Sequence, residues 1–273
     1  MQYDPIKHKF SSFIQDSPFL KILFFKLLGI FFLREWYIKR KIKEIFNAQK
    51  PAAILDAGCG FGQYTYFMNK QSPTTKIEAV DLNPEHVRRV AAFAEKMIMP
   101  VTTSVQDLTK FQNPTTYDFI LCVDVMEHIE DDRSVLKNYY ASLKSGGHLL
   151  ISTPSDQGGS ESHHDHDHDN PEAHGFIDEH ARDGYSIADM TEKLETEGFS
   201  VKQIKYTYGA AGKISWKLAI KYPILLLNAS MIFAVILPFY FVITIIPILI
   251  LHQLDTLFEW ETGTGLMVHA IKK

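Results

Sequence analysis

The stretch Ile54-Leu-Asp-Ala-Gly-Cys-Gly-Phe-Gly62 decides the fold that this sequence predicts. Its apolar start is typical of a buried strand, and a helix pattern follows it. Gly58, Gly60 and Gly62 allow a sharp backbone turn and the close approach of a ligand, where a Cβ would collide. The dinucleotide-binding pattern Gly-x-Gly-x-x-Gly would need a glycine at position 63, where Gln63 stands. The stretch therefore predicts a ligand-binding turn of another kind between a strand and a helix.

Strand and helix signals alternate from residue 51 to residue 155 and resume further along the chain. Strands are expected at Ala53–Ala57, Lys76–Asp81, Val101–Val105, Tyr117–Val123, His148–Ser152, Val201–Tyr208 and Gly265–Ile271, and helices at Tyr64–Lys70, Pro84–Lys96, Asp131–Leu143 and Ile187–Glu197. Such alternation predicts an α/β fold in which a mostly parallel sheet is covered by helices on both faces.

Four motifs in this order resemble those of the class I S-adenosylmethionine-dependent methyltransferases. They are the glycine loop that begins at Asp56, the strand that ends at Asp81, the step Val105-Gln-Asp-Leu108, and the pair Tyr117–Glu130 and Lys144–Ser152. Together they cover residues 52–155. The resemblance implies a Rossmann-like seven-stranded methyltransferase sheet, S-adenosylmethionine as the cofactor and methyl transfer as the reaction.

The resemblance also implies which residues hold the cofactor. A carboxylate at Asp81 suits the two ribose hydroxyls as a bidentate acceptor. The other interpretation, an aspartate that caps the next helix, is weaker because Asn83-Pro84 already supplies a cap. Asp107 is expected to accept from the adenine amino group. The expected cofactor-binding residues are Asp56, Gly58, Cys59, Gly60, Gly62, Asp81, Leu82, Asp107, Leu108 and Val123.

The methyl acceptor is expected over the ends of the fourth and fifth strands, beside Asp124. A phenol or an acid must lose a proton before methylation, and histidine is the side chain best suited to take it near neutral pH. His128 and His180 are therefore the candidate catalytic bases, although the Glu-His step at 127–128 also occurs in structural roles. Tyr185 is a candidate substrate-binding residue of the pocket.

The run Ser162-His-His-Asp-His-Asp-His-Asp169 contains side chains that could ligate a transition metal. Alternate residues of a loop seldom converge on one ion without a scaffold. A solvated acidic lid is the preferred interpretation, a proton-handling loop is an alternative, and no metal is predicted.

The two cysteines form no disulfide pattern, which fits a reducing compartment.

The N-terminal segment 1–50 is basic, with ten Lys or Arg against four Asp or Glu. An apolar run at 19–33 precedes Lys39-Arg40-Lys41-Ile42-Lys43, which predicts an amphipathic helix for an anionic membrane surface. The alternative is a helix that packs on the catalytic domain as a substrate lid. The net charge of −4 leaves no basic footprint for nucleic acid.

A second hydrophobic run, residues 224–252, carries no charge and is long enough for a transmembrane helix. However, if the sixth and seventh strands share a sheet, the chain must return to the side it left. These residues are too few for two spans, and Pro238 and Pro247 interrupt the helix pattern. The run therefore predicts a helical hairpin, or two broken helices, in one leaflet, with Trp216, Lys217, Lys221, Tyr222 and Trp260 at the interface. The alternative is a dimer interface or a cap over an apolar channel.

The sequence thus predicts a methyltransferase domain at 51–215 and 261–273, with an N-terminal segment 1–50 and a membrane-associating insertion 216–260. The expected function is O-methylation of a lipophilic phenolic, polyketide-like or quinone-type acceptor at the cytoplasmic face of a membrane with anionic lipid. The alternatives are N-methylation of a lipid headgroup, C-methylation of a ring, and a non-catalytic cofactor-binding scaffold. The acceptor atom and the oligomeric state stay open.

Overall fold

The computed structural model describes residues 17–158 and 181–273. Seven strands form one sheet in the order β3-β2-β1-β4-β5-β7-β6, in which β7 alone runs antiparallel to its neighbours. The strands are β1 Ala53–Ala57, β2 Lys76–Asp81, β3 Val101–Val105, β4 Tyr117–Val123, β5 Leu143–Pro154, β6 Phe199–Thr207 and β7 Gly265–Lys272. The predicted seven-stranded Rossmann-like fold is confirmed.

The helices of the domain cover both faces of the sheet. They are α1 Pro18–Phe31, α2 Leu33–Ala48, α3 Gln63–Gln71, α4 Pro84–Lys96, α5 Asp132–Ser142 and α6 Ile187–Thr196. Strand side chains alternate between the faces. In β4, Phe119 and Leu121 pack in the cluster that includes α2 and α3, whereas Ile120 and Cys122 pack in the cluster that includes α5 and α6.

Strand β5 is longer than the sequence predicts. It begins at Leu143, which pairs with Tyr117 of β4, rather than at His148. The register shifts between Tyr117 and Phe119, so the glycines before His148 lie in an irregular part of the ladder. The predicted strand is the regular part of a longer one.

The N-terminal segment forms two helices, so the prediction of a single amphipathic helix with a basic end is not confirmed. Phe32 has an extended backbone and separates α1 from α2. The apolar side chains of α2, among them Ile38 and Ile42, are buried against the sheet. The basic residues of α2 thus belong to a helix that packs on the domain, as in the alternative interpretation. Residues 1–16 lie outside the described residues.

The insertion between β6 and β7 is a helical hairpin that begins at Ala210, earlier than the predicted boundary at 216. Its first arm is α7 Ala210–Trp216, a π-helical turn Lys217–Lys221 and α8 Tyr222–Ala229. A 3-10 turn at Met231–Val235 leads to the second arm, α9 Leu237–Leu257. The predicted hydrophobic helical insertion is confirmed. Within the described residues, α9 is the one helix long and apolar enough to cross a membrane, a criterion of length and composition only.

The base of the hairpin is anchored by Asp255, which is fully buried. Its carboxylate accepts a hydrogen bond from the Tyr37 hydroxyl at 2.7 Å and from the Gly212 N–H at 2.6 Å. One carboxylate therefore ties α9 to α7 and to α2. Trp36 of α2 also packs edge-on against the ring of His252, with centroids 5.4 Å apart. The hairpin and the N-terminal helices form a continuous structure at one end of the sheet.

Candidate active site

The glycine loop follows β1 in the left-handed conformation that its glycines allow. Gly58, Gly60 and Gly62 have φ angles of 80°, 50° and 82°. A Cβ on Gly58 would lie 2.2 Å from Val125 Cγ2, and one on Gly62 would lie 2.9 Å from Val90 Cγ2. A Cβ on Gly60 would meet no protein atom within 4 Å. Two of the glycines are thus required by packing, whereas Gly60 borders open space in which a ligand can lie.

Asp56 lies beneath the loop and is buried. Its carboxylate accepts a hydrogen bond from the Thr65 hydroxyl of α3, which joins the end of β1 to the helix after the loop. Burial raises the pKa of Asp56 to about 6. The structure thus places Asp56 as a brace of the loop. Cys59, in the loop itself, is also buried, and burial raises the pKa of its thiol.

Asp81 ends β2 and faces the loop. One carboxylate oxygen accepts from the Gly60 N–H at 2.9 Å, and the other accepts from the Asn83 N–H at 2.8 Å. Each carboxylate oxygen has two acceptor positions, and the oxygen bonded to Gly60 also lies 3.4 Å from Nδ1 of His86, so the oxygen bonded to Asn83 retains one position for a ligand hydroxyl. Asn83 caps α4 by accepting from the Glu85 N–H at 2.9 Å. The helix cap is therefore Asn83, which leaves Asp81 available for the predicted ribose contact.

The residues expected around adenine differ in exposure. Leu82 is 72% exposed and offers an open apolar surface, whereas Leu108 is only 6% exposed and packs in the core. Leu108 therefore presents no open face to an adenine ring. Asp107 accepts from the N–H and the hydroxyl of Thr109, and the hydroxyl bond lowers the pKa of the Asp107 carboxyl. Val123, at the end of β4, is half-buried.

A cavity of about 410 Å³ opens beyond the ends of β4 and β5. The strand ends and the loop after β5 supply most of its polar lining, and the hairpin and the junction of α1 with α2 supply the rest. Its lining residues are Phe32, Arg34, Asp124, Ser152, Thr153, Pro154, Gln157, Gly158, Thr207, Tyr208, Lys213, Trp216, Lys217, Thr264 and Gly265. This is where the sequence predicts the acceptor.

Two of the four non-glycine residues with a positive φ angle in the described part of the chain lie in the lining of this cavity. Asp124 and Tyr208 have φ angles of 51° and 57°, although neither is a glycine. Such conformations cost about 1–3 kcal/mol each and persist where the surroundings enforce them, often at functional sites. Asp124 forms an ion pair with Arg34, whose backbone N–H donates to the Tyr208 hydroxyl at 3.0 Å. The start of α2 is thereby fixed across the cavity from β4.

His128 and Tyr185 are not among the described residues that line the cavity. His128 is exposed in a 3-10 turn at Met126–His128, and no histidine of the described ranges lines the cavity. The prediction for His180 lies outside the described residues. Tyr185 is 1% exposed, and its hydroxyl donates to the Asp132 carboxylate at 2.8 Å. The prediction that Tyr185 lines the pocket is therefore wrong, because its hydroxyl is held in the core.

The described ranges contain no cluster of three or more residues suited to hold a metal ion. The His- and Asp-rich run 162–169 lies outside those ranges, so the structure does not test it.

Sequence reasoning missed the cations of the cavity. Arg34 and Lys217 lie in segments that the sequence predicts to contact the membrane, and Lys213 lies near the predicted end of the catalytic domain, yet all three line the cavity together with Trp216. A signal was present: in residues 209–254 the only charged side chains are three lysines, and Lys213 and Lys217 stand one helical turn apart. Their position in one lining with Asp124 depends on contacts between distant segments, which no local pattern encodes.

The strand order, the left-handed glycine loop, Asp81 beside it and the cavity beyond β4 and β5 together define a class I methyltransferase. Residues 33–204 match the family model of the methyltransferase domain, and the chain belongs to this family. It is an S-adenosylmethionine-dependent methyltransferase.

The chain is similar to curated proteins named ubiquinone biosynthesis O-methyltransferase. It is 31% identical over 121 residues to that of Aliivibrio fischeri, covering 44% of this chain and 50% of the relative. It is 27% identical over 121 residues to that of Rickettsia typhi, covering 44% of this chain and 48% of the relative. The match thus spans about half the length of these relatives.

Solved structures of low sequence identity share the fold. A phosphoethanolamine N-methyltransferase 2 from Haemonchus contortus, in complex with S-adenosylmethionine, gives a TM-score of 0.57 at 16% identity and covers 87% of this chain and 52% of that one. An S-adenosylmethionine-dependent methyltransferase from Mesorhizobium loti gives 0.52 at 14% identity, with 81% and 90% covered. At such identities the likeness concerns the fold alone.

The residues present fit the cofactor. The open space at Gly60, the free acceptor position of Asp81 and the exposed surface of Leu82 can receive the methionine part, the ribose and one face of the adenine. Bound S-adenosylmethionine supplies a sulfonium whose positive charge makes its methyl group electrophilic. What the chain must do is hold and orient the acceptor, because methyl transfer requires an in-line approach.

Proposed function

We propose that this protein O-methylates a lipophilic phenolic or quinone-type small molecule at the cytoplasmic face of a membrane. The observation that carries the proposal is the construction of the cavity. Its walls combine the strand ends of the catalytic domain with Trp216 and Lys217 of the apolar hairpin. A hairpin that meets lipid and also borders the acceptor cavity can deliver a membrane-dissolved acceptor to the cofactor. The relatives named as ubiquinone O-methyltransferases support oxygen as the methylated atom.

The exposed surface of the hairpin supports contact with lipid. Phe239, Val242, Ile243 and Ile246 of α9 are 64–75% exposed, at helical spacing along one side. A stripe of this kind normally faces a core, a partner or a membrane. The turn between the arms continues it, with Ile232 at 77% exposure.

The length of the protruding part supports insertion into one leaflet. The second arm is exposed or half-buried from Leu237 to Pro247, and burial begins at Ile248. At ~1.5 Å per residue these residues reach roughly 16 Å, about half of a ~30 Å hydrocarbon core. The antiparallel pairing of β6 with β7 also returns the chain to the sheet it left. A hairpin that enters and leaves on one side fits both observations.

The charge of the cavity disfavours N-methylation of a lipid headgroup. Among the described residues of the lining, Arg34, Lys213 and Lys217 outnumber Asp124, the single acidic one. A protonated amine would meet like charges here, whereas a phenol would have its ionised, reactive form stabilised. The cations thus favour an acceptor that reacts as an anion, and they lower the demand for a histidine base.

Methylation of extracts tests the function. The full-length protein is incubated with S-adenosylmethionine carrying a tritiated methyl group, together with either the membrane or the aqueous extract of its source cells. We expect a labelled, solvent-extractable product from the membrane extract only, and mass spectrometry with base treatment identifies an aryl methyl ether. Label in an aqueous product, or on a lipid amine, would contradict the proposal.

Lipid quenching tests the membrane part. A cysteine with an environment-sensitive fluorophore replaces Ile232 at the tip of the hairpin, in a background without the two native cysteines. We expect nitroxides within the acyl chains to quench it in vesicles. A second label at Glu259, after α9, is the matched control and should stay accessible to aqueous quenchers from the outside. A tip label that remains aqueous, or labels on opposite sides of the bilayer, would rule out a one-leaflet hairpin.

A further inference from the structure

Two lysines of the cavity have no ionic partner within residues 17–158 and 181–273. Lys213 and Lys217 stand at i and i+4 on the first arm of the hairpin and both line the cavity. Two like charges at this spacing destabilise a helix by about 0.2–0.5 kcal/mol when nothing offsets them. A pair of cations facing one cavity is an arrangement that an anion would stabilise.

The acidic groups nearby are already engaged. Asp124 forms the ion pair with Arg34. Asp255 is the one acidic residue of the hairpin, and it is buried with its oxygens bonded to Tyr37 and Gly212. Among the described residues, Lys213 and Lys217 are therefore the cations of the lining that have no acidic partner.

We propose that Lys213 and Lys217 form a subsite for a permanent anionic group, a carboxylate or a phosphate ester, on the lipophilic acceptor. The remainder of the lining fits such a molecule, because Trp216 and Phe32 supply apolar surface beside the lysines. Lysine holds an anion as a mobile point charge, so the subsite tolerates either headgroup geometry. The inference rests on the proposed function in identifying this cavity as the acceptor site.

A lipid phosphate could meet the same lysines, because they lie in the arm that leads into the apolar hairpin. The next lysine of that arm distinguishes a lipid headgroup from the acceptor as the source of the anion. Lys221 stands one turn beyond Lys217 toward the tip and does not line the cavity. A headgroup role would involve Lys221 at least equally, whereas an acceptor role concerns the two cavity lysines only.

The test measures binding rather than turnover. The full-length protein, saturated with S-adenosylmethionine, is titrated in detergent with para-dodecylbenzoate and with the neutral para-dodecylbenzamide. Charge-assisted hydrogen bonds predict about tenfold or more preference for the benzoate. We expect the double variant Lys213→Gln/Lys217→Gln to lose this preference, and Lys221→Gln to keep it. Unchanged cofactor affinity in each variant shows that the fold persists.

The outcomes are distinct. Equal binding of benzoate and benzamide by the native protein, or a preference that survives in the double variant, would overturn the subsite. Flotation on vesicles that contain phosphatidylglycerol measures binding of each variant to anionic lipid headgroups. A double variant that loses vesicle binding but keeps the benzoate preference would assign the lysines to headgroups and also overturn it. If no phenol is methylated yet the benzoate preference holds, the subsite stands and the proposed function fails.

Discussion

Replacement of Gly58 by alanine tests whether the glycine loop is held by packing as well as by its ligand. The φ angle of 80° costs an alanine about 1–2 kcal/mol. The new Cβ would also lie 2.2 Å from Val125 Cγ2, and such overpacking typically costs about 1–3 kcal/mol. The two effects together predict a loss of about 2–5 kcal/mol in the free energy of unfolding, which corresponds to a fall in Tm of roughly 4–20 °C.

Gly60→Ala is the matched control. Gly60 has a φ angle of 50°, but its Cβ would meet no atom within 4 Å. Only the conformational cost of about 1–2 kcal/mol applies to the protein without ligand. The added methyl group occupies the space assigned to the cofactor, so we expect S-adenosylmethionine affinity to fall while the protein stays folded.

Denaturant unfolding without cofactor, followed by calorimetric titration of S-adenosylmethionine, separates the two variants. Adding Val125→Ala to Gly58→Ala removes the colliding Cγ2 atom, and it should restore the packing part of the loss but not the conformational part. If Gly58→Ala is as stable as Gly60→Ala, or if Val125→Ala restores none of the lost free energy of unfolding, packing against Val125 does not hold the glycine loop in its conformation.

Two further predictions concern the cofactor and the pH dependence of stability. Asp81→Ala removes an acceptor of charge-assisted hydrogen bonds, so S-adenosylmethionine affinity measured by calorimetry should fall about tenfold or more, and an unchanged affinity would exclude the ribose assignment. His269 and His148 contact each other through ring nitrogens 2.8 Å apart, and burial lowers the pKa of both, that of His269 to about 4. The unfolded chain therefore takes up protons at these histidines below about pH 6.5, whereas the folded protein takes them up only at lower pH. The contribution of the pair to the free energy of unfolding is complete above about pH 6.5 and is lost as the pH falls toward 4. We expect the unfolding free energy of His269→Gln to fall less than that of the native protein between about pH 7 and pH 5, and parallel curves would contradict this.

The part of the fold that could be predicted is the part encoded in short patterns. Phe119, Ile120 and Leu121 alternate between the two faces of the sheet because the side chains of a strand repeat every two residues. The stretch from Asp56 to Gly62 carries its own turn, because only glycine adopts the left-handed angles there without cost. Asn83 likewise caps α4 as its sequence indicates.

The part that could not be predicted depends on contacts between distant segments. Tyr185 lies in a polar loop, and nothing in its neighbourhood shows that its hydroxyl reaches the buried Asp132. His128 follows a family motif, yet its turn points it to solvent. Arg34 ends an apolar run, and its pairing with Asp124 exists because α2 packs on the same sheet that presents β4. Local patterns identify the elements, and the tertiary arrangement decides which side chains share the cavity.

The place of the insertion in the sheet explains why an apolar hairpin and an acceptor cavity coincide. Because β7 is antiparallel, it begins at the edge where β4 and β5 end, and Gly265 of β7 pairs with Thr207 at the end of β6. Both residues line the cavity. Any segment between β6 and β7 must therefore emerge beside the cavity. Under the proposed function, a hairpin at this position would change which acceptors enter without altering the glycine loop or Asp81, so acceptor choice and cofactor binding would be separable properties of this chain.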